Sequence, residues 1–402
     1  MGLSKQILAI YPINQRINTD SPIHQHKQTM HHPKHIAIIG AGVAGLAFAL
    51  LASRQGHNVQ LFEHKPLGKQ MGAGVTLWPN ATFVLAKMGL LAAVRARSGE
   101  PEWMRRLSPD NSEMTALPIA QLDELSGYPS LTILRKDLMT VLIDACKNTD
   151  ILFHDNYHID EHKLADLRQN NDLVIGADGR MQSVARHYVA PDAKPVYQGF
   201  VNIIGISHYP KGTLCPTAIL DFCGNGQRFG IVPVSDTMAY WAAAWQTPNG
   251  SSDDPAYQLP QLKTRFATWP IPVQQMLNFV TPSSMRPIFV HDLDPLSCWH
   301  RDNVLLIGDA AHASLPTSGQ GACQALEDAW LLAKHLSETQ DTQNLLPQFQ
   351  LARQSKTGQI QQSGRVLAST IFSPASANTQ AGVVKQSLQD IVNVWMSGLP
   401  IN

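Results

Sequence analysis

Three strings in this chain combine residue type and spacing in ways that chemistry uses. The first is Gly40-Ala-Gly42-Val43-Ala44-Gly45, set between a short apolar run and an Ala/Leu-rich segment. A glycine at the first position permits a tight turn, and one at the second lets an anion approach the backbone. A glycine at the third lets a helix pack closely on a strand, and the free N–H groups at the helix start face the anion. Glu63 follows eighteen residues after Gly45. A carboxylate there, at the end of the next strand, accepts hydrogen bonds from a ribose and repels a 2′-phosphate. The triplet alone is weak. With its flanking elements and Glu63 it reads as a dinucleotide site in which Gly40, Gly42, Val43, Ala44 and Gly45 face a pyrophosphate; the alternative is a purely structural glycine turn.

The second string is Gly308-Asp309-Ala-Ala-His312, followed by Leu315-Pro316 and by Ser318-Gly319-Gln320-Gly321-Ala322. Asp309, at a strand end, suits hydrogen bonding to a polyol. The Gly-Gln-Gly turn opens a helix. Its N-terminus, aimed at a ring carbonyl, would stabilise negative charge such as that at the N1/C2=O edge of a reduced flavin. The third string is Gly176-Ala-Asp178-Gly179-Arg180, with Ser183 and Arg186 beyond it. Taken alone, Asp-Gly after a strand is a turn.

The elements that must position these residues follow from hydrophobic periodicity. A buried strand over 35–40, a helix over 43–55 and a strand over 58–63 make a parallel βαβ unit. Helices are predicted over 80–91 and 135–147, and a buried strand over 173–176; residues 98–130 look less regular. From about 188 to 295 the pattern becomes short alternating segments (201–207, 217–222, 229–234, 239–245) separated by Gly, Pro and Asn, the signature of an antiparallel sheet. Trp241 and Trp245 fall on one face and read as core. The parallel-strand style returns at 303–308, and 337–402 reads as helical.

Composition narrows the field. The 402 residues predict two to three domains. Lys+Arg and Asp+Glu are 31 each, which argues against nucleic acid as main partner. No run of about 18 apolar residues is present, so no membrane span is expected. The five cysteines include no CxxC pair, which predicts no disulfide framework, no metal centre and a reducing, cytoplasmic setting. Residues 1–33, with a histidine-rich tract at 24–32, read as a disordered leader rather than a secretory signal.

Together the three strings resemble the class A flavoprotein monooxygenases, the para-hydroxybenzoate hydroxylase-like superfamily. They stand in that family's order over about 34–336. Val75-Thr76-Leu-Trp-Pro-Asn80 and Tyr197-x-Gly199-x-Val-Asn202 are similar to strings of its urate and salicylate hydroxylase branches. The resemblance implies an α/β fold: a Rossmann-like FAD-binding domain with a parallel sheet (34–100, 131–187, 296–336), a substrate-side segment (101–130), an inserted, mainly antiparallel substrate domain (188–295) and C-terminal helices (337–402). It implies tightly bound FAD, with NADH or NADPH as a transient donor that visits a surface groove, since no second complete glycine fingerprint exists. Glu63 would take the adenosine ribose and Asp309 the ribityl chain. Val75 and Thr76 would lie near the flavin, and Arg135 would contact FAD. Asp178 belongs to a motif tied to both FAD and the nicotinamide donor. The backbone from Ser318 through Gly319, Gln320 and Gly321 to Ala322 would meet the isoalloxazine, with Pro316 in the same loop. His312 reads as loop packing.

The implied activity is hydroxylation of a small aromatic or heteroaromatic compound with NAD(P)H and O₂ through a C4a-hydroperoxyflavin. Alternatives are an epoxidase or tailoring oxygenase acting on a larger polyketide or alkaloid, and a silent FAD-binding redox sensor. A monomer or homodimer is expected. Arg228 stands where related hydroxylases place a cation for an anionic substrate, and could equally be a rim charge. Asn202 and Tyr240 are candidates by local similarity to the urate branch, though a structural role for each is favoured. That branch has a second polar residue two positions after the asparagine, where this chain has Ile204.

Overall fold

The continuously apolar runs form a parallel sheet buried on both faces, as such runs do when neither face meets water. A computed structural model describes residues 32–68, 72–339, 341–372 and 387–400; apart from His32 and Pro33, the expected leader and its histidine tract lie outside the described residues. The sheet has six strands in the order His300–Arg301, Val304–Leu306, Leu173–Gly176, His35–Ile39, Asn58–Phe62, Leu152–His154, parallel except for the edge strand His300–Arg301, which runs antiparallel to Val304–Leu306. His35–Ile39 pairs in parallel with both Asn58–Phe62 and Leu173–Gly176. This brings the glycine turn after Ile39 beside the Asp178 turn after Gly176. Helix Val43–Arg54 packs against helix Gly321–Glu338, so the first and second strings share one layer. The helix expected over 80–91 is two, Pro79–Lys87 and Leu91–Arg95, broken where Gly89 takes a φ of 68°.

The alternating segments form a seven-stranded sheet in the order Met285–Asp292, Val196–His208, Met238–Gln246, Gln227–Ser235, Ala218–Gly224, Trp103–Leu107, Glu113–Pro118. Every pairing is antiparallel except that of Ala218–Gly224 with Trp103–Leu107. The segment expected to be irregular therefore supplies two strands at one end of this sheet, as well as helix Ile119–Ser126. Its strands were illegible because residues such as Trp103, Arg105 and Met114 point to solvent, leaving no apolar alternation.

One face of the seven-stranded sheet is covered by helices Pro255–Arg265 and Ile271–Asn278. There Trp241, Trp245, Phe229 and Ile231 pack with Leu262, Phe266, Val273 and Met276. The two tryptophans are thus core. A three-stranded sheet of Gly74–Leu77, Leu131–Leu134 and Ser98–Gly99 abuts the other face, tied to it by Thr132 Oγ1 donating to the Pro233 carbonyl at 2.6 Å. Helix Thr342–Phe372 and helix Leu388–Met396 complete the described chain.

Candidate active site

A cavity of about 510 Å³ lies between the glycine turn, the bend after Leu315 and the face of the seven-stranded sheet turned away from helices Pro255–Arg265 and Ile271–Asn278. The three fingerprint glycines have different reasons to be glycine. Gly40 has a φ of 102°, and a Cβ there would lie 2.3 Å from the Ala177 carbonyl oxygen. A Cβ on Gly45 would lie 1.9 Å from the Gly40 oxygen. Both positions are dictated by the chain's own packing. A Cβ on Gly42 would meet nothing within 4 Å, and Gly42, Val43 and Ala44 line the cavity. Helix Val43–Arg54 has no side-chain cap, so its leading N–H groups remain available to an anion. Glu63 is buried. Its Oε2 accepts from the Ala41 N–H at 2.9 Å and its Oε1 from the Lys65 N–H at 3.0 Å, which braces the turn from behind.

Arg135, Arg180 and Asp309 line the same cavity. Arg180 Nη1 is 3.6 Å from Asp309 Oδ2. Burial lowers the pKa of Arg135, and the nearby Asp309 carboxylate opposes that shift. Asp178 behaves differently. Its carboxylate accepts from the Ser183 hydroxyl and from the Ala185 N–H at 3.2 Å, capping helix Val184–Val189 rather than lining the cavity. Burial raises its pKa. Arg186 then donates to the carbonyls of Gly179 (3.0 Å) and Arg180 (2.6 Å), locking the loop that presents Arg180. An open cradle at Gly42, an uncapped helix start and a cation–carboxylate cluster lining the same cavity fit the pyrophosphate and ribityl chain of FAD.

The bend begins with the turn Pro316–Ser318, and Gly319 follows with a φ of 63°. Pro316, Ser318, Gly319, Gly321 and Ala322 line the cavity. The Gln320 side chain does not. Its Oε1 accepts from Asn80 Nδ2 at 2.9 Å and from Gln324 Nε2 at 3.1 Å, inside a buried polar network that sequence reasoning missed. In it Arg353 donates to Glu327 Oε2 (2.8 Å) and Asp328 Oδ1 (2.7 Å). Lys356 reaches Glu327 Oε2 (2.7 Å) and the Trp395 carbonyl (2.6 Å). Asp328 Oδ2 accepts from the Gly308 N–H at 2.7 Å and lies 2.6 Å from His312 Nε2, so His312 packs the loop. Burial would raise the Asp328 pKa, but His312 and Arg353 outweigh it and hold it at about 2. The available signal was two adjacent acids, Glu327-Asp328, within the Ala- and Leu-rich stretch 325–333.

The sheet face is a set of cross-strand rows, because directly paired residues project to the same side. Asn202, Ala244 and Arg228 form one row; Ile204, Ala242, Gly230 and Asp221 the next; Ile206, Tyr240 and Val232 a third. Ala244, Ala242 and Gly230 hollow out the middle, leaving polar groups around the rim. The Asn202 amide lines the cavity and hydrogen-bonds no described residue. Arg228 Nε donates to Asp221 Oδ1 at 2.6 Å, and Arg106 donates to Asp221 Oδ2 from Nε (3.0 Å) and Nη2 (2.8 Å). Asp221 and Arg106 were also missed; a lone Asp in the apolar strand Ala218–Gly224 was the only hint.

Tyr240 joins the sheet to the segment carrying Val75 and Thr76, its hydroxyl 2.8 Å from Thr76 Oγ1. Burial pushes its pKa upward, so the phenol stays neutral. The ring lies so close to Gly74 that a Cβ there would be 2.0 Å from Tyr240 Cδ1. Tyr240→Phe removes this hydrogen bond while keeping the ring, and should cost about 1 kcal/mol in chemical denaturation.

Among the described residues no cluster of three His, Cys, Asp or Glu side chains is placed to hold a metal, and no helix is long and apolar enough to cross a membrane. All five cysteines are free thiols.

Residues 34–360 match the family model described as FAD binding domain. The chain is 30% identical to aurachin C monooxygenase/isomerase of Stigmatella aurantiaca (79% of this chain, 84% of the relative). It is 31% identical to 3-amino-4-hydroxybenzoate 2-monooxygenase of Streptomyces cremeus (84% and 88%), and 27% identical to FAD-dependent urate hydroxylase of Klebsiella pneumoniae (79% and 85%). Its fold is that of Klebsiella pneumoniae HpxO, solved with FAD and uric acid, at a TM-score of 0.76 and 24% identity over 86% of this chain and 91% of that one. A cradle suited to a dinucleotide, in a chain matched to these relatives over most of its length, leads to one assignment: the chain belongs to the FAD-binding family, as an FAD-dependent monooxygenase among the class A aromatic hydroxylases.

Proposed function

We propose that this enzyme hydroxylates a small aromatic or heteroaromatic ring bearing negative charge, with NADH or NADPH as donor and O₂ as co-substrate, in a cytoplasmic setting. The observation that carries the reading is the hollow of Ala244, Ala242 and Gly230, rimmed by Asn202, Arg228 and Tyr240 and facing the bend at 316–322. A cavity of about 510 Å³ shared with a three-ring flavin suits a compact substrate better than a polyketide. The parallel-sheet part is read as the Rossmann-like cofactor domain, and the seven-stranded sheet, with strands 103–107 and 113–118, as the substrate domain.

FAD, when bound, supplies the electron transfer and oxygen activation that side chains cannot. The chain's own residues do the rest. Gly42, Val43 and Ala44 would offer backbone N–H groups to the pyrophosphate, and Arg135 would supply positive charge in the same cavity. Glu63 keeps the glycine turn in shape and has lone pairs left for the adenosine ribose. Asp309 accepts from the ribityl hydroxyls. The start of helix Gly321–Glu338, whose Gly321 and Ala322 line the cavity, would offer its N–H groups to negative charge on the flavin. Asp178 and Gln320 act at one remove, by holding their loops. Arg228 and Asn202 orient the substrate, and the neutral Tyr240 closes the wall and keeps water out.

The test is to purify the protein with FAD, then follow NAD(P)H oxidation and ¹⁸O₂ incorporation over a panel of hydroxybenzoates, hydroxynicotinates and purines. Retained flavin with no oxygenated product across the panel would remove the proposal. Asp309→Ala should weaken FAD retention by about tenfold or more, read as the flavin-to-protein absorbance ratio after gel filtration.

A further inference from the structure

Two charges on the cavity wall, Arg228 and Asp221, and a third behind them, Arg106, restrict by the way they share bonds what the cavity can select. Arg228, Asp221 and Arg106 lie on the consecutive strands Gln227–Ser235, Ala218–Gly224 and Trp103–Leu107. Register places Asp221 directly beside Arg106 on one side and opposite Gly230 on the other. With no side chain at Gly230, the Asp221 carboxylate is left room to meet Arg228 from the next row; the nearest atoms to a Cβ at Gly230 would be the Ala242 oxygen at 3.9 Å and Asp221 Oδ1 at 4.0 Å.

Asp221 is 1% exposed and bound by both guanidiniums. Burial alone would raise its pKa, but Arg228 and Arg106 hold it at about 2, so it is ionised throughout the working range. The bonds are divided unequally. Arg106 spends Nε and Nη2 on Oδ2 and does not line the cavity. Arg228 spends only Nε, on Oδ1; its terminal nitrogens bond no described residue, and the side chain lines the cavity. A guanidinium anchored through Nε keeps its Nη1/Nη2 edge for a second, planar acceptor pair. One carboxylate between two guanidiniums leaves one positive charge uncompensated, at the end that faces the cavity.

We propose that Asp221 and Arg106 are positioning residues. Asp221 fixes Arg228 with its terminal edge toward the cavity, and Arg106 offsets the Asp221 charge so that Arg228 remains a net cation. The site therefore selects an aromatic substrate bearing a planar anionic group with two acceptor oxygens, of which a carboxylate is the simplest. This rests on reading the cavity as the ring-binding site. The two residues act in separable ways. Without Arg106, Asp221 and Arg228 form a neutral pair: the geometry survives and the charge does not. Without the Asp221 charge, the summed charge grows more positive but nothing holds Arg228 in line, and two adjacent guanidiniums repel. Removing Asp221 thus sets long-range attraction against placement, with opposite signs.

The experiment uses the FAD-loaded enzyme and follows the visible flavin spectrum as salicylate, 4-hydroxybenzoate and 6-hydroxynicotinate are titrated in, each against its uncharged carboxamide. In the unsubstituted enzyme the best acid should bind about tenfold or more tighter than its amide. Asp221→Asn should weaken that acid by about tenfold or more and leave the amide within about twofold, at unchanged flavin content. Arg106→Gln should do the same, with Arg106→Lys restoring most of the loss. An Asp221→Asn enzyme that binds the acid equally well or tighter would overturn the positioning role, because summed charge would then govern. Acid and amide binding equally in the unsubstituted enzyme would overturn the anion selectivity. If no aromatic of either kind perturbs the flavin, the ring-site reading fails instead, which is a separate result. Should Asp221→Asn fail to fold, the Arg106→Gln and Arg106→Lys pair decides the matter, and equal acid affinity in the two would refute the proposal.

Discussion

Gly42→Val should yield a folded protein that no longer retains FAD, while Gly45→Ala should destabilise the fold itself. The two glycines stand three residues apart in one fingerprint, and their surroundings dictate opposite outcomes. Gly42 has φ −77° and ψ −172°, an extended conformation that a β-branched residue adopts readily, and its Cβ would project into the open cavity. Valine there strains nothing in the chain but occupies the space through which a pyrophosphate reaches the helix N-terminus. FAD affinity should fall by about a hundredfold or more, roughly 3 kcal/mol, with the melting temperature of the flavin-free protein nearly unchanged. At Gly45 a Cβ would stand 1.9 Å from the Gly40 oxygen, a backbone atom that no rotamer change can move aside. The helix must lift from the strand, and a loss of about 3 kcal/mol or more is expected, seen as lower soluble yield and an earlier denaturation midpoint. If both variants behaved alike in a flavin titration and a melting curve, the division of roles among the glycines would be wrong.

Arg353→Met should be the most damaging single change away from the cofactor cradle. Arg353 is 3% exposed and is hydrogen-bonded to Glu327 and Asp328, both at most 1% exposed. Removing it takes the shared guanidinium from two buried carboxylates that keep Lys356, His312 and the neutral donors Asn80, Gln324 and the Gly308 N–H, and breaking a buried pair in this way costs about 3–5 kcal/mol. The damage should extend to the flavin, since Asp328 also holds the Gly308 N–H and Lys356 holds the chain after Trp395. Urea denaturation of the FAD-free protein separates the stability loss from any loss of cofactor.

The same network sets an acid limit. Asp328 and Asp221 both have folded pKa values held at about 2, below the ordinary 3.8. A depressed carboxylate binds fewer protons folded than unfolded. Its contribution is therefore complete above about pH 4 and is lost as pH falls toward 2. Stability in urea should drop steeply across that interval, and Arg353→Met should flatten the drop by releasing Asp328 from its partner. An equally steep acid transition in that variant would contradict the assignment.

The sequence was most informative where local chemistry repeats a fixed geometry. The strand before Gly40, the helix from Val43, helix Arg135–Lys147, strand Leu173–Gly176 and the four alternating strands between 196 and 246 all lie where periodicity put them, because period and punctuation are local properties. The same holds for Gly40 and Gly45, whose need for glycine follows from a turn any βαβ unit must make. Strands 103–107 and 113–118 escaped notice because strands at the end of a sheet owe their pairing to a distant partner rather than to their own apolar pattern.

The side chains that set polarity inside the fold belong to tertiary structure alone. Asp178 and Gln320 sit in recognisable motifs, yet their side chains turn away from the cavity, toward Ser183 in one case and Asn80 in the other. Asp221 becomes meaningful only when strand register brings Arg106, 115 residues away in sequence, against one oxygen and Arg228 against the other. What the chain determined by itself was the set of backbone shapes, since φ, ψ and periodicity are decided by each residue and its near neighbours. Which charges are paired, which remain open to a ligand and what the hollow admits depended on contacts between segments far apart in sequence, because burying a charge is tolerable only after its partner has arrived.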